Sequence, residues 1–222
     1  MLYVPILLAA YYGLRRSEVL GVRWDSIDFE KKTIAIKHKV INGCAAGQDG
    51  LLLMDEMKTK SSRRTLPLLP TPERVLLETK ARQEEYRRAC RKGYCTKYLE
   101  YVCVDSLGNL LSPAFLSVHF SCLLQKNGLR HIRFHDLRHT CASLLVAKGV
   151  DMKRIQLWLG HSNFSTTADI YAHLDFASKR ETGAVIGSLL DGSLEEEGTT
   201  DKTKRCMSDK EPEIPIIKEA KT

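Results

Sequence analysis

The sequence predicts a mainly α-helical protein with a small antiparallel β-sheet, an α+β chain. Three observations lead there. After Thr71 apolar residues recur at helical spacing, between Trp24 and Leu69 apolar and polar residues alternate in short runs, and Gly or Pro closes most of these segments. At 222 residues the chain is long enough for one generous domain with a tail. The domain is placed at residues 1–190. The charged segment 191–222, rich in Gly, Glu, Lys and Thr with two prolines, is expected to be disordered.

The elements follow in order. Met1 to Tyr12 is apolar nearly throughout and Gly13 stands where a helix would end, so it reads as a buried helix. Opening on a core helix leaves that helix uncovered, so further residues are expected upstream. Ser17 is expected to cap a short helix through Leu20. Trp24 to Phe29 then turns into a strand in which Ile34, Ile36 and Val40 alternate against Thr33, Lys37 and Lys39. Residues 51–57 and 64–69 read as two more strands around the basic turn Lys58-Thr-Lys-Ser-Ser-Arg-Arg64. A charged helix is expected over 72–92, an extended piece at Tyr101 to Asp105, a turn at Ser106-Leu-Gly-Asn109 and a helix over Pro113 to Gln125. Between His135 and Lys148, Leu137, Cys141, Leu144 and Leu145 are assigned to an apolar face, and His135, Arg138, His139 and Ala142 to the other. Gly149 ends that helix, Asp151 caps the next, Gly160 ends it, and Ser165 or Thr166 starts a helix carrying Tyr171.

Composition narrows the function classes. The seven cysteines are scattered without a CxxC pair or metal-ligand spacing, which argues against a disulfide framework or a zinc site and for a reducing, cytoplasmic setting. Apolar runs are too short for a membrane span, and the opening residues lack the pattern of a secretion signal. The net charge of +7 is unevenly spread: residues 191–222 hold nine acidic and six basic side chains, which leaves 28 Lys and Arg against 18 Asp and Glu in residues 1–190. Such a basic body suits a polyanion, because neutralising phosphates releases condensed counterions.

Some residue types fit phosphate chemistry. In His135-Asp-Leu-Arg138 the i,i+3 spacing aims an imidazole and a guanidinium above one helix face. Arginine is a planar, permanently charged fork that matches two phosphate oxygens, and histidine moves protons near neutral pH. Each feature alone also suits an ordinary role: Arg15 as a surface cation, His161 as a loop residue, Tyr171 as a core tyrosine.

Their order along the chain is more specific. Gly13-Leu-Arg-Arg-Ser-Glu18, Lys58-Thr-Lys-Ser-Ser-Arg-Arg-Thr-Leu-Pro67, His135-Asp-Leu-Arg-His-Thr140, Leu159-Gly-His-Ser162 and Tyr171 together closely resemble the tyrosine recombinase, or phage integrase, family over about residues 1–190. The resemblance implies the family's catalytic-domain fold, and a site in which Arg15 and Arg138 are the two arginines, Lys58 the hairpin lysine, His135 and His161 the phosphate-site histidines and Tyr171 the nucleophile. Lys60 is the alternative to Lys58. Glu18 fills the place of an acidic residue near the first arginine. The implied reaction is site-specific DNA recombination, for integration or excision of mobile DNA, through a 3′-phosphotyrosyl intermediate that needs neither metal nor cofactor. The implied partners are double-stranded DNA, further copies forming a tetramer on it, and accessory DNA-bending proteins. The family normally places a DNA-clamping helical domain, and usually one more helix, before the segment that opens here. Two other readings stand beside this one: supercoil relaxation of the type IB topoisomerase kind, and a truncated remnant that binds DNA without completing recombination.

Overall fold

In the computed structural model, residues 1–43, 50–54 and 63–160 are described. Helix α1 (Tyr3–Tyr12) buries Val4, Leu7, Leu8, Ala9 and Tyr12, as its apolar sequence requires. It ends at Gly13, whose φ of 60° is the left-handed value that glycine adopts without a Cβ clash. Helix α2 (Arg16–Leu20) follows after three residues, Gly13, Leu14 and Arg15. Its start differs from the expected Ser17 cap. Arg15 is the extended residue before the helix, and Glu18 reaches back so that its Oε2 accepts the Arg15 backbone N–H at 3.1 Å.

Among the described residues the strands divide into two ribbons, where the sequence suggested one small sheet. β1 (Ile27–Asp28), β2 (Thr33–Ile36) and β5 (Arg64–Pro67) form one in the order β1-β2-β5, and β3 (Lys39–Asn42) with β4 (Leu51–Met54) forms the other. All pairs are antiparallel, with Ile34 opposite both Ile27 and Leu66, Ile36 opposite Arg64, and Val40 opposite Leu53. The single strand read across Ile34 to Val40 is interrupted at Lys37-His38. There the backbone passes so close to Gly21 that a Cβ on Gly21 would collide with the His38 carbonyl. Trp24–Ser26 is a turn of 3-10 helix, not strand.

Helix α3 (Pro70–Cys90) opens on two prolines in its first turn, where no helical N–H is lost, and α4 (Pro113–Lys126) is capped by Ser112 Oγ, which accepts Phe115 N–H at 3.0 Å. Between them, where an extended piece was expected over Tyr101 to Asp105, there are only isolated antiparallel bridges, Tyr101 to Arg23 and Val104 to Leu110, joined by bends. Helices α5 (Asp136–Ala147) and α6 (Met152–Leu159) lie where the spacing put them, with Asp151 accepting Lys153 and Arg154 N–H groups and Gly160 left-handed at the end. α1 packs on α3 and α5, α2 on β3 and α4, and α6 on α5 and β5.

One face assignment is partly overturned: Cys141 is buried and Leu137 and Leu145 pack against the core as expected, but Arg138, Ala142 and Leu144 are not where they were placed. The buried stripe of α5 is Arg138, Cys141 and Ala142, while Leu144 is 61% exposed. Residues 138, 141, 142 and 145 share one side of a 3.6-residue helix, so Arg138 lies on the core-facing side, not opposite it. The apolar residues 184–190 and the proposed tail lie outside the described residues.

Candidate active site

Four charged side chains from four elements meet behind the start of α2. Arg15 comes from the turn after α1, Glu18 from α2, Arg64 from β5 and Arg138 from α5. Glu18, 3% exposed, is the hub: its Oε1 accepts Arg15 Nη1 at 2.7 Å, its Oε2 accepts Arg64 Nη2 at 3.2 Å, and Arg138 Nη1 stands 4.0 Å from Oε2. Three guanidiniums thus face one carboxylate.

The backbone completes the arrangement. Arg138, itself 3% exposed, donates from Nη1 to the Gly13 carbonyl at 2.5 Å and from Nη2 to the Leu159 carbonyl at 2.8 Å. Arg64 donates from Nε to the Trp158 carbonyl at 2.8 Å. These carbonyls are free because helix ends leave their last C=O groups without intrahelical partners. The glycine-terminated ends of α1 and α6 are therefore held by arginines. A side chain at Gly13 would both require a strained φ and strike the Leu159 side chain.

Ionisation follows from this crowding. Burial alone would raise the Glu18 carboxyl, but the guanidiniums of Arg64 and Arg15 outweigh it and hold the group below the usual carboxylate range. Burial, followed by repulsion from Arg15, brings Arg138 down to about 9, still cationic at neutral pH. Burial also lowers Arg64, against the pull of Glu18.

A cleft of about 750 Å³ opens beside the cluster, lined among others by Arg15, Arg16, His131, Arg133, His135 and Ser117. Arg15 is the member of the cluster that reaches it, with 36% of its side chain exposed. His135 precedes α5 on the exposed rim, its ring edge-on to His139 at 5.2 Å between centroids. Partial burial, then the charge of His139, Arg138 and Arg15, keeps His135 below the ordinary histidine value and so favours its neutral form. Arg133 does not point freely into the cleft: it is paired with Asp136 at 3.0 Å.

Arg15, His135 and Arg138 are thus gathered from distant parts of the chain, with Glu18 orienting the first. Lys58, Lys60, His161 and Tyr171 lie outside the described residues. Arg64 was passed over in the sequence, although it carried a signal. In β5 it stands two residues from buried Leu66, so its charge falls on the inward side of a strand. Among the described residues no group of three or more His, Cys, Asp or Glu could hold a metal ion, and no helix is long and apolar enough to cross a membrane.

Scaffold and cluster together set three guanidiniums around one carboxylate between helices and β-ribbons, with Arg15 at the edge of the cleft. Residues 2–178 match the phage integrase family, and the chain belongs to it. The relatives include a tyrosine recombinase XerC-like protein of Caldanaerobacter subterraneus subsp. tengcongensis, 34% identical over 184 residues that cover 81% of this chain and 46% of the relative. The ICEBs1 integrase of Bacillus subtilis is 29% identical, covering 80% of this chain and 46% of its own length. Among solved structures, the Tn1549 transposon integrase in complex with transposon right end DNA superposes with a TM-score of 0.65 at 26% identity, over 81% of this chain and 57% of that one. The chain spans about half the length of the curated relatives it matches.

Proposed function

We propose that this chain is the catalytic part of a site-specific DNA recombinase that cuts and rejoins strands of mobile DNA through Tyr171. The observation that carries the proposal is the gathering of Arg15 and Arg138, far apart in sequence, around Glu18 at the edge of the basic cleft. Family membership supports it, as does the DNA bound to the Tn1549 integrase.

A phosphodiester resists attack because its oxygens repel the nucleophile, and charge builds up as the bond forms. Arg15, Arg138 and His161 would offset that charge, each contact being worth about 3 kcal/mol in systems of this kind. The Tyr171 hydroxyl oxygen attacks phosphorus, its proton passing to His135, which is held neutral and can accept it. The bond from phosphorus to the 5′ oxygen breaks, and Lys58, or Lys60 in its place, supplies the proton that makes a 5′ hydroxyl. The 3′-phosphotyrosine keeps the bond energy, so the 5′ hydroxyl of another strand reverses the step and joins to it. This chemistry requires neither a metal nor ATP. DNA is the proposed partner, with tetrameric assembly on it, aided by DNA-bending proteins. Residues 1–190 form the proposed catalytic domain and 191–222 a tail that takes no part.

Arg138→Lys tests this reading. It keeps the charge but cannot hold the Gly13 and Leu159 carbonyls while presenting a fork to phosphate. Covalent capture of nicked DNA, read on denaturing gels, should fall by about a hundredfold or more. A rate within a few-fold of wild type would remove Arg138 from the site.

A further inference from the structure

Arg64 is buried, with 7% of its side chain exposed, and has no opening toward the cleft that Arg15 lines. Burying a guanidinium is costly unless its donors are satisfied, and Arg64 directs two of them to separate elements. Nε holds the Trp158 carbonyl at the end of α6, and Nη2 holds Glu18 Oε2 on α2. By occupying Oε2, Arg64 leaves Oε1 to Arg15 Nη1 and fixes the carboxylate plane against which Arg15 lies. The neighbouring Leu159 carbonyl holds Arg138, so the α6 end that Arg64 grips is also a seat of the second arginine. Lysine could not replace it, since one ammonium on a flexible stem cannot span both acceptors with this fixed fork.

We propose that Arg64 is a positioning residue that sets Arg15, through Glu18, and Arg138, through the end of α6, at the separation a phosphate requires. This rests on the reading that the two arginines receive the phosphate to be cleaved. Arg64 itself does not touch DNA. Its effect therefore belongs to the chemical step and to a small anion, not to overall DNA affinity, which draws on many phosphate contacts.

The test uses the full chain carrying Arg64→Lys. At saturating nicked DNA the rate of covalent capture should fall by about tenfold or more, because small misplacements of catalytic groups are costly. DNA affinity should stay within about threefold, set as it is by the other phosphate contacts. Orthovanadate, used as the small anion in calorimetry, should bind about tenfold more weakly, as expected for two misplaced guanidiniums. Glu18→Gln should give the same kind of split without altering β5, and R64K/E18Q should lose little beyond R64K alone, since the Glu18 route to Arg15 is already disturbed in R64K. Capture by R64K at the wild-type rate would overturn the proposal. So would a loss that vanishes on correcting for the folded fraction, or multiplying losses in the double variant. Should the wild-type chain capture no DNA, the recombinase reading fails, and the vanadate titration alone decides: equal affinity for wild type and R64K rejects the positioning role, and weaker binding by R64K supports it.

Discussion

Glu18 shows how one residue can hold a site together. Its carboxylate is nearly inaccessible and stands among Arg15, Arg64 and Arg138. Breaking a buried pair by removing one partner typically costs about 3–5 kcal/mol, so Glu18→Gln should lower stability in denaturant by that order. The pH dependence has a definite sign. The folded value lies below the ordinary 4.5, so the contribution of Glu18 is fully present above that pH and is lost as pH falls through the lower folded value. The wild-type advantage over the variant should therefore shrink only in acid. An advantage constant down to strongly acidic pH would contradict the ion-pair origin. His135 behaves oppositely, its protonated form being disfavoured, so the acid limb of capture measured at subsaturating DNA should lie below pH 6.5. His139→Ala removes one of the charges opposing it and should move that limb upward. An unmoved limb would detach His135 from proton transfer. Arg15 and Arg138 were legible in the sequence from their motifs, and Glu18 from its place beside them. Arg64 was passed over at the end of a basic run, although its place two residues before Leu66 in the expected strand over 64–69 marks it as inward-facing.

Among the elements, helix ends bear most of the precision. Gly13 closes α1, turns the chain toward Arg15, and offers its carbonyl to Arg138. Gly13→Ala should cost about 1–3 kcal/mol for a non-glycine residue held in the left-handed region, before the clash with Leu159 is counted. Thermal melting measures the cost, and a melting temperature equal to wild type would show that this turn relaxes freely. The helices α1, α3, α4, α5 and α6 were legible because their apolar spacing and their Gly, Pro, Ser and Asp boundaries agree. The break at Lys37-His38 was not, since it comes from Gly21, distant along the strand pattern, admitting the His38 backbone. The facing of α5 was partly misread for a related reason. Arg138 looks polar in isolation, but the carbonyls that receive it come from α1 and α6 and are invisible in a local window.

At the scale of the molecule, a helical frame with β-ribbons brings Arg15, His135 and Arg138 together from widely separated segments, while the other motif residues lie outside the described part of the chain. Fold class and family followed from pattern and order, whereas the division into two ribbons and the four-residue charge cluster needed tertiary contacts. On the proposed reading, cations held at fixed spacing by one carboxylate would be prepared for a phosphate before it arrives. The most direct measurement is peptide mapping by mass spectrometry of the covalent complex formed on nicked duplexes selected for binding from a random-sequence pool. The expected result is a 3′-phosphodeoxynucleotide attached to Tyr171 in the wild-type chain, and no covalent complex with Tyr171→Phe although the variant binds DNA equally well. Attachment at any other residue, or capture by the phenylalanine variant at wild-type yield, would contradict it.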